Sequence, residues 1–87
     1  STINMTQKER AAFGFAGKSI IWDQVIETIQ QMQEQMWIGA VSGNIKGEDR
    51  IHACGQADGV NLVYSTLLQF RQEALKLNSL TEEKDLA

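Results

Sequence analysis

The middle of the chain carries an apolar stripe with helical spacing. Its members recur every three or four residues, which places them on one face of a helix: Trp22, Val25, Ile26, Ile29, Met32 and Met36. Glutamine and glutamate fill most positions between them. Ser19 stands just before the stripe, where its hydroxyl can cap a helix. The pattern predicts a long helix from Ser19 to about Ala40 or Val41.

A second apolar stripe follows nearer the C-terminus. Its members are Val60, Val63, Tyr64, Leu67, Phe70, Leu75 and Leu77. The polar residues predicted to lie outside the stripe are Arg71, Glu73 and Lys76. The spacing predicts another long helix, capped at Asp58 or Asn61 and ending near Asn78. Residues 79–87 are acidic and polar, which predicts a mobile tail.

A shorter helix is predicted before the first stripe. Thr6 and Glu9 have the spacing of a capping box, in which each side chain accepts a hydrogen bond from the other residue's backbone N–H. The helix would run from Thr6 to between Phe13 and Ala16. Residues 1–5 would form a short arm in front of it.

Glycines divide the chain between these elements. Gly14 and Gly17 predict a bend after the short helix. Residues 42–49 contain two glycines with serine and asparagine and form the clearest predicted loop. Residues 50–59 have two more glycines in a weakly helical background, so the pattern does not decide between helix and loop.

The triplet Gly17-Lys18-Ser19 matches the end of a phosphate-binding loop but fails the rest of that motif. The motif needs a glycine five residues before Gly17, where this chain has Ala12, and a strand before the loop. The preceding residues predict a helix instead. We therefore interpret the glycines as a helix break and Ser19 as the cap of the next helix.

Length and composition define the fold class. A chain of 87 residues fits one domain, here 1–87, and the absence of proline favours helices. The prediction is an all-α fold: a helical hairpin of two long helices with a short N-terminal helix. Two helices cannot bury two wide apolar stripes against each other alone, so a homo-oligomer is expected to complete the fold.

Charge and residue usage exclude several classes of function. A net charge of −3 argues against binding of DNA or RNA polymers. With one cysteine, Cys54, and one histidine, His52, neither an internal disulfide nor a metal cluster is expected, and no cofactor is predicted. No apolar run reaches about 18 residues and the N-terminus is polar, so we expect no membrane partner and a cytoplasmic location.

Enzymatic chemistry has weak support in the sequence. His52 and Cys54 are two positions apart, and residues at this spacing do not face each other on a helix. Adjacent carboxylates occur at Glu48-Asp49 and in the tail, where both are expected to be solvated. The chain is therefore predicted not to be an enzyme.

Binding of a small anion has better support. Lys8, Arg10 and Lys18 lie close in sequence to aromatic residues, and arginine forks hold phosphates while aromatic faces stack on bases. The alternative is that the aromatic residues Phe13 and Phe15 belong to the core and that Lys8 and Arg10 are ordinary surface charges.

Residues 50–61 combine polar side chains with small ones and lie between the two stripes. Gly55 and Gly59 permit close approach of a ligand or of another backbone. Two interpretations are open here: a binding site, or a tight helix crossing at small residues including Ala53 and Ala57.

The arrangement Arg50, Ala53, Gly55 and Asp58 before an apolar helix resembles a motif of the hairpin-domain sponge proteins with which phages block CBASS and Thoeris immunity. The resemblance covers residues 20–75 in outline. The chain departs from that pattern at Ile51, where the family has an aromatic residue, and at Ala57 and Val60. The resemblance implies an oligomeric protein that sequesters a cyclic nucleotide or an ADP-ribose-derived messenger without cleaving it.

On this hypothesis the protein is a phage anti-defence protein whose partner is a small nucleotide signal, bound in pockets between subunits. Lys18 and Arg50 would hold phosphates. The residues proposed to stack on bases are Phe13, Phe15 and Trp22. The residues proposed to hydrogen-bond base or ribose edges are His52, Gln56 and Asp58. The alternative is a structural or interaction protein, an oligomeric helical hairpin of a virion or regulatory assembly.

Overall fold

A computed structural model describes residues 4–86 of the chain and the side chains of residues 4–79. All regular secondary structure in this part is helical and comprises α1 (Gln7–Phe13), α2 (Ile20–Ala40) and α3 (Glu48–Leu86). The predicted all-α class, with one short and two longer helices, is confirmed. Contacts divide the chain into two compact units. The hairpin unit is Ile20–Ser65, and the terminal unit joins the residues before Ile20 to those after Ser65.

Helix α1 begins with the predicted capping box. The Thr6 hydroxyl accepts a hydrogen bond from the Glu9 amide at 3.1 Å, and the Glu9 carboxylate accepts one from the Thr6 amide at 3.0 Å. The helix ends at Phe13, and the Gly14 amide donates to the Arg10 carbonyl at 2.9 Å. Of the predicted arm, residues 1–3 lie outside the described part of the chain.

Helix α2 has nearly the predicted bounds, but its inward face differs from the predicted stripe. Val25 and Met32 are 43% and 42% exposed, whereas Gln33 is half-buried. The inward positions alternate by four and three residues: Trp22, Ile26, Ile29, Gln33, Met36 and Ala40. Positions spaced in this way form the narrow seam along which one helix contacts a single neighbouring helix. The predicted apolar stripe is wider than that seam, so some of its side chains lie outside the contact.

Helix α3 is longer at both ends than predicted. It begins at Glu48, after a loop that includes Gly47 in the left-handed region at φ +63°, and it passes through Gly55 and Gly59. The caps predicted at positions 58 and 61 are therefore wrong, because two acidic residues in the first turn already favour an earlier start. The helix also continues past Asn78 to Leu86, since residues 79–86 contain neither glycine nor proline. The predicted mobility of residues 79–87 stays a prediction, and Ala87 lies outside the described residues.

The inward positions of α3 also follow the alternation of three and four residues. They are Ala57, Val60, Tyr64, Leu67, Arg71, Ala74 and Asn78, all buried or half-buried. Arg71 was predicted to lie outside the apolar stripe, and this prediction is wrong because its position is four after Leu67 and three before Ala74. Val63 and Leu75, predicted within the stripe, are 53% and 41% exposed.

The core of the described chain consists of small residues. Ala40, Ala57 and Ala74 are the buried hydrophobic residues, and no large side chain among residues 4–79 is fully buried. Small residues let helix backbones approach closely but contribute little apolar area. The packing within this chain therefore leaves most of its large apolar side chains partly in solvent. Oligomerisation stays a prediction.

Candidate functional site

Arg71 anchors the segment after α1 in the terminal unit. Its guanidinium donates to the carbonyls of Phe13 at 2.9 Å, Phe15 at 2.6 Å and Gly17 at 3.3 Å. The same group lies 3.6 Å from the centre of the Phe15 ring. Arginine suits this position because its planar fork can serve several acceptors while its face stacks on an aromatic ring.

The predicted stacking residues Phe13 and Phe15 take part in this packing. Phe13 meets Phe70 edge to face, with ring centroids 5.4 Å apart, and both Phe13 and Phe15 are half-buried. One face of the Phe15 ring is covered by Arg71. These contacts favour the alternative in which both aromatic residues belong to the core of their unit.

Asn78 holds the other side of the same segment. Its side-chain amide donates to the Gly14 carbonyl at 3.2 Å, and its side-chain oxygen accepts from Arg10 at 3.2 Å. Gly14 has no room for a side chain, because an added Cβ would collide with the Asn78 amide and lie 3.3 Å from the Ala74 methyl. The bend predicted at Gly17 is confirmed by its φ of +71°, and Lys18 beyond it is exposed.

Arg50 interacts with the end of α2 in the hairpin unit. Its Nε donates to the carbonyl of Ala40, the last residue of α2, at 3.2 Å. A cation is favourable at this position because the terminal carbonyls of a helix lack intrahelical partners and carry partial negative charge. Arg50 therefore has a structural contact, and its binding of phosphate stays a prediction.

The other predicted polar site residues lie exposed on α3. None of His52, Gln56 and Asp58 hydrogen-bonds through its side chain to another residue of the described chain. His52 and Gln56 are four residues apart and share one face of the helix, whereas Asp58 lies about 120° away from His52 around the helix axis. The structure thus brings two of these three residues together.

The eight predicted site residues are divided between the two units. Phe13, Phe15 and Lys18 belong to the terminal unit, and the others belong to the hairpin unit: Trp22, Arg50, His52, Gln56 and Asp58. Trp22 is half-buried on the inward face of α2. Within the described residues no concave pocket is found, and no group of three or more histidine, cysteine, aspartate or glutamate residues could hold a metal ion.

Two hydrogen bonds between polar side chains mark one side of the hairpin unit. The Gln33 amide donates to Asn61 at 2.9 Å, and the Gln30 amide donates to the Tyr64 hydroxyl at 3.1 Å. These contacts were not anticipated from the sequence. The feature of the sequence that could have indicated them is the high glutamine content of α2, because glutamine side chains are long enough to reach a neighbouring helix.

The opposite side of the hairpin unit is apolar, and we call it the open face. Its large residues are Ile21, Val25, Met32 and Val63. Their side chains are 78%, 43%, 42% and 53% exposed, respectively. Its small residues are Thr28, Gly39 and Gly59. A Cβ placed on either glycine would meet no atom within 4 Å. The helical period also places three polar residues on this side: Gln35, His52 and Gln56. The helical period places the three charged residues of α2 on its far side: Asp23, Glu27 and Glu34.

Comparison of the chain with protein-family models, with curated proteins and with solved structures gives no match. No helix within the described residues has the length and apolar character needed to cross a membrane. Among the surfaces of the described residues, the open face is an apolar one that lies away from the charged residues of α2.

Proposed function

We propose that this protein is an interaction protein, a helical hairpin that acts by packing its apolar surface against another protein. One observation carries the proposal: ten large apolar residues of the hairpin unit are exposed by 42% to 89%. They are Ile20, Ile21, Val25, Met32, Trp37, Ile38, Val41, Ile51, Leu62 and Val63. Four of them lie together on the open face: Ile21, Val25, Met32 and Val63. A patch of neighbouring exposed apolar residues marks a site of protein association.

The energy available from this surface is large for a small protein. The ten exposures together amount to about six fully exposed side chains. Burial of each such side chain is worth about 1.5–3 kcal/mol, so complete coverage would contribute about 9–18 kcal/mol. The whole stability of a typical domain is about 5–15 kcal/mol. Association also costs about 4–15 kcal/mol in lost translational and rotational freedom, so a stable complex requires a partner that covers much of this surface.

The test measures the native mass of the purified protein across a range of concentrations, with and without charges placed on the open face. We expect an assembly larger than 9.7 kDa that the double variant Val25→Glu with Met32→Glu dissociates. Charges are costly in an apolar interface because they lose their hydration there. The matched control is Gln31→Glu with Gln69→Glu, which adds the same charges at exposed positions that the helical period places outside the open face.

The control variant is expected to keep the mass of the unmodified protein. A strictly monomeric protein that also retains no partner on an affinity matrix would refute the proposed function. Equal dissociation by both double variants would show that added negative charge acts on the assembly without regard to position.

A second candidate function is sequestration of a nucleotide signal, as in the phage sponge proteins that the chain resembles. It is favoured by the exposure of His52 and Gln56, which lie one turn apart and beside Gly59 on the open face. If two copies meet there, these polar groups would line the junction between them. A cyclic nucleotide or an ADP-ribose-derived messenger would be bound at this junction and not cleaved.

Titration calorimetry with cyclic dinucleotides, cyclic trinucleotides and cyclic ADP-ribose isomers tests this second function. We expect heat of binding with one class, lost in His52→Ala with Gln56→Ala and kept in the control Gln31→Ala. Recovery of intact ligand after heating the complex would separate a sponge from an enzyme. Absence of heat with every ligand, at concentrations where the protein is assembled, would contradict sequestration.

A further inference from the structure

The chemistry of the open face restricts what can cover it. The face presents four large apolar side chains, and the charged residues of α2 lie on the far side of that helix. A partner surface must therefore be apolar and uncharged, because a charge placed against this face would be desolvated without compensation. The open face of another copy is a surface of this description.

We propose that a second copy of this chain covers the open face, with the two α2 helices antiparallel across a two-fold axis. This inference rests on the proposed function and names the partner. A two-fold contact uses the same surface on both copies, so that surface has to be complementary to itself when one copy is turned around.

The positions of α2 on the open face meet this requirement. They are positions 21, 25, 28, 32, 35 and 39, so the spacings between them are four, three, four, three and four residues. The order of these spacings is the same from either end of the helix. When two such helices are antiparallel with their midpoints aligned, Ile21 of each copy lies opposite Gly39 of the other. Met32 then lies opposite Thr28. Val25 lies opposite Gln35, an uncharged side chain. At the other two kinds of pair a large side chain faces a small one, as packing of knobs into holes requires.

The contact accounts for two features that the single chain leaves unexplained. Glycine in a helix costs about 1 kcal/mol relative to alanine, yet a Cβ added at Gly39 would meet no atom within 4 Å, so no contact within the described chain requires a glycine there. Ile21 is 78% exposed at the other end of the same helix. An Ile21 side chain from a second copy would occupy the space at Gly39 and would itself be buried.

Charge is compatible with this arrangement. Helix α2 has three acidic residues and no lysine or arginine, so two copies in random orientations would bring carboxylates together. Asp23, Glu27 and Glu34 all lie on the far side of α2 from the open face. Contact through the open face therefore keeps these like charges in solvent.

The area of the open face is adequate for a stable dimer. With 21 residues, α2 is about 31 Å long at 1.5 Å per residue, and two packed helices are about 20 Å wide. The face therefore measures about 600 Å² on each copy, or about 1,200 Å² over both. Stable specific interfaces begin at about this total.

Disulfide cross-linking tests both the partner and the orientation. In a Cys54→Ser background, cysteines replace Ile21 and Gly39 together. These positions are 18 residues apart in one helix, or about 27 Å, whereas a disulfide needs Cα atoms about 4.4–6.8 Å apart. A disulfide can therefore form between two copies only. We expect mild oxidation to double the 9.7 kDa mass on a non-reducing gel.

Three controls make the result specific. Each single-cysteine variant should remain at the monomer mass, because the same position in the two copies is about 27 Å apart. The control pair is Ile20→Cys with Ile38→Cys, which has the same spacing and whose two sites are 89% and 59% exposed. It lies about 100° around α2 from the open-face pair, so it should not cross-link two copies. Should Gly39→Cys fail to fold, Val25→Cys with Gln35→Cys tests the same register.

The outcomes separate this inference from the proposed function. Cross-linking of the control pair as efficient as that of the open-face pair overturns the inference. So does a Cys54→Ser protein that is dimeric by native mass but whose open-face pairs do not cross-link. A protein that is monomeric and takes no other partner overturns the proposed function itself. A protein that is monomeric but binds a different protein overturns the inference alone.

Discussion

Replacement of Arg71 by methionine is the sharpest test of the packing in the terminal unit. Methionine keeps much of the length and apolar character of the side chain but removes the guanidinium. The change therefore eliminates the three hydrogen bonds to the carbonyls of Phe13, Phe15 and Gly17 and the stacking on the Phe15 ring. Together with the hydrogen bond from Asn78 to Gly14, these contacts tie the segment after α1 to α3.

The expected loss follows from the geometry. A hydrogen bond to a charged group contributes about 1.5–3 kcal/mol, and a cation over an aromatic ring contributes about 0.5–1 kcal/mol when partly exposed. Arg71 is half-buried and one of its three bonds is long, at 3.3 Å. Discounted for solvent, the guanidinium contributes about 2–4 kcal/mol. For a chain of this length that loss lowers the melting temperature by about 10–30 °C.

Thermal unfolding followed by circular dichroism, at one fixed protein concentration, measures the global effect. Hydrogen exchange of the amides in residues 7–17 measures the local one, and we expect it to accelerate. Lys76→Met is the matched control, because it removes one charge from an exposed position of the same helix. Arg71→Lys should fall between the two, since lysine keeps the charge but cannot serve three carbonyls. If Arg71→Met were no more destabilising than Lys76→Met, the anchoring role would be refuted.

Three further substitutions test local contacts. Gly14→Ala should destabilise the protein by about 1–3 kcal/mol in urea unfolding, because its Cβ collides with neighbouring atoms, whereas Gly43→Ala has open space and should have little effect. The pKa of Glu9 lies below its ordinary value, first because of the backbone hydrogen bond with Thr6 and then because of the side-chain one. The ionised Glu9 carboxylate therefore stabilises α1 at pH values above its ordinary pKa, and this stabilisation is lost as the pH falls through the lowered pKa. Amide exchange in α1 should accelerate over that pH range, and Glu9→Gln should abolish this pH dependence. Arg50→Met should cost about 1–2 kcal/mol in thermal unfolding through the lost bond to the end of α2, whereas unchanged unfolding would restrict Arg50 to a binding role.

Local features of the sequence were enough to predict the helices. The capping box at Thr6 and Glu9 is a contact between residues three apart, so the sequence alone contains both partners. Helix α2 was predicted to within about one residue at each end because its apolar spacing is regular and a glycine-rich loop follows it. Where the local signal was mixed, at residues 50–59, the pattern left the choice between helix and loop open.

The candidate site was less accessible from the sequence. In the sequence, Phe13 and Phe15 lie near the cations Lys8, Arg10 and Lys18, whereas the cation that covers Phe15 is Arg71, 56 residues later in the chain. No local pattern indicates such a pairing. The clue that was present is the position of Arg71 within the alternation of three and four residues on α3, which marks the inward face.

The sequence by itself determined that this chain is helical and roughly where each helix lies, because helix formation depends on spacing, capping and composition over a few residues. The tertiary structure decided which part of each wide apolar stripe faces inward, because one neighbouring helix covers only a narrow line of positions. It left Val25 and Met32 exposed and drew Arg71 and Asn78 inward, where they bond to backbone carbonyls of the N-terminal segment. Those outcomes depend on contacts between residues far apart in sequence, and the same contacts define the open face on which the proposed assembly depends.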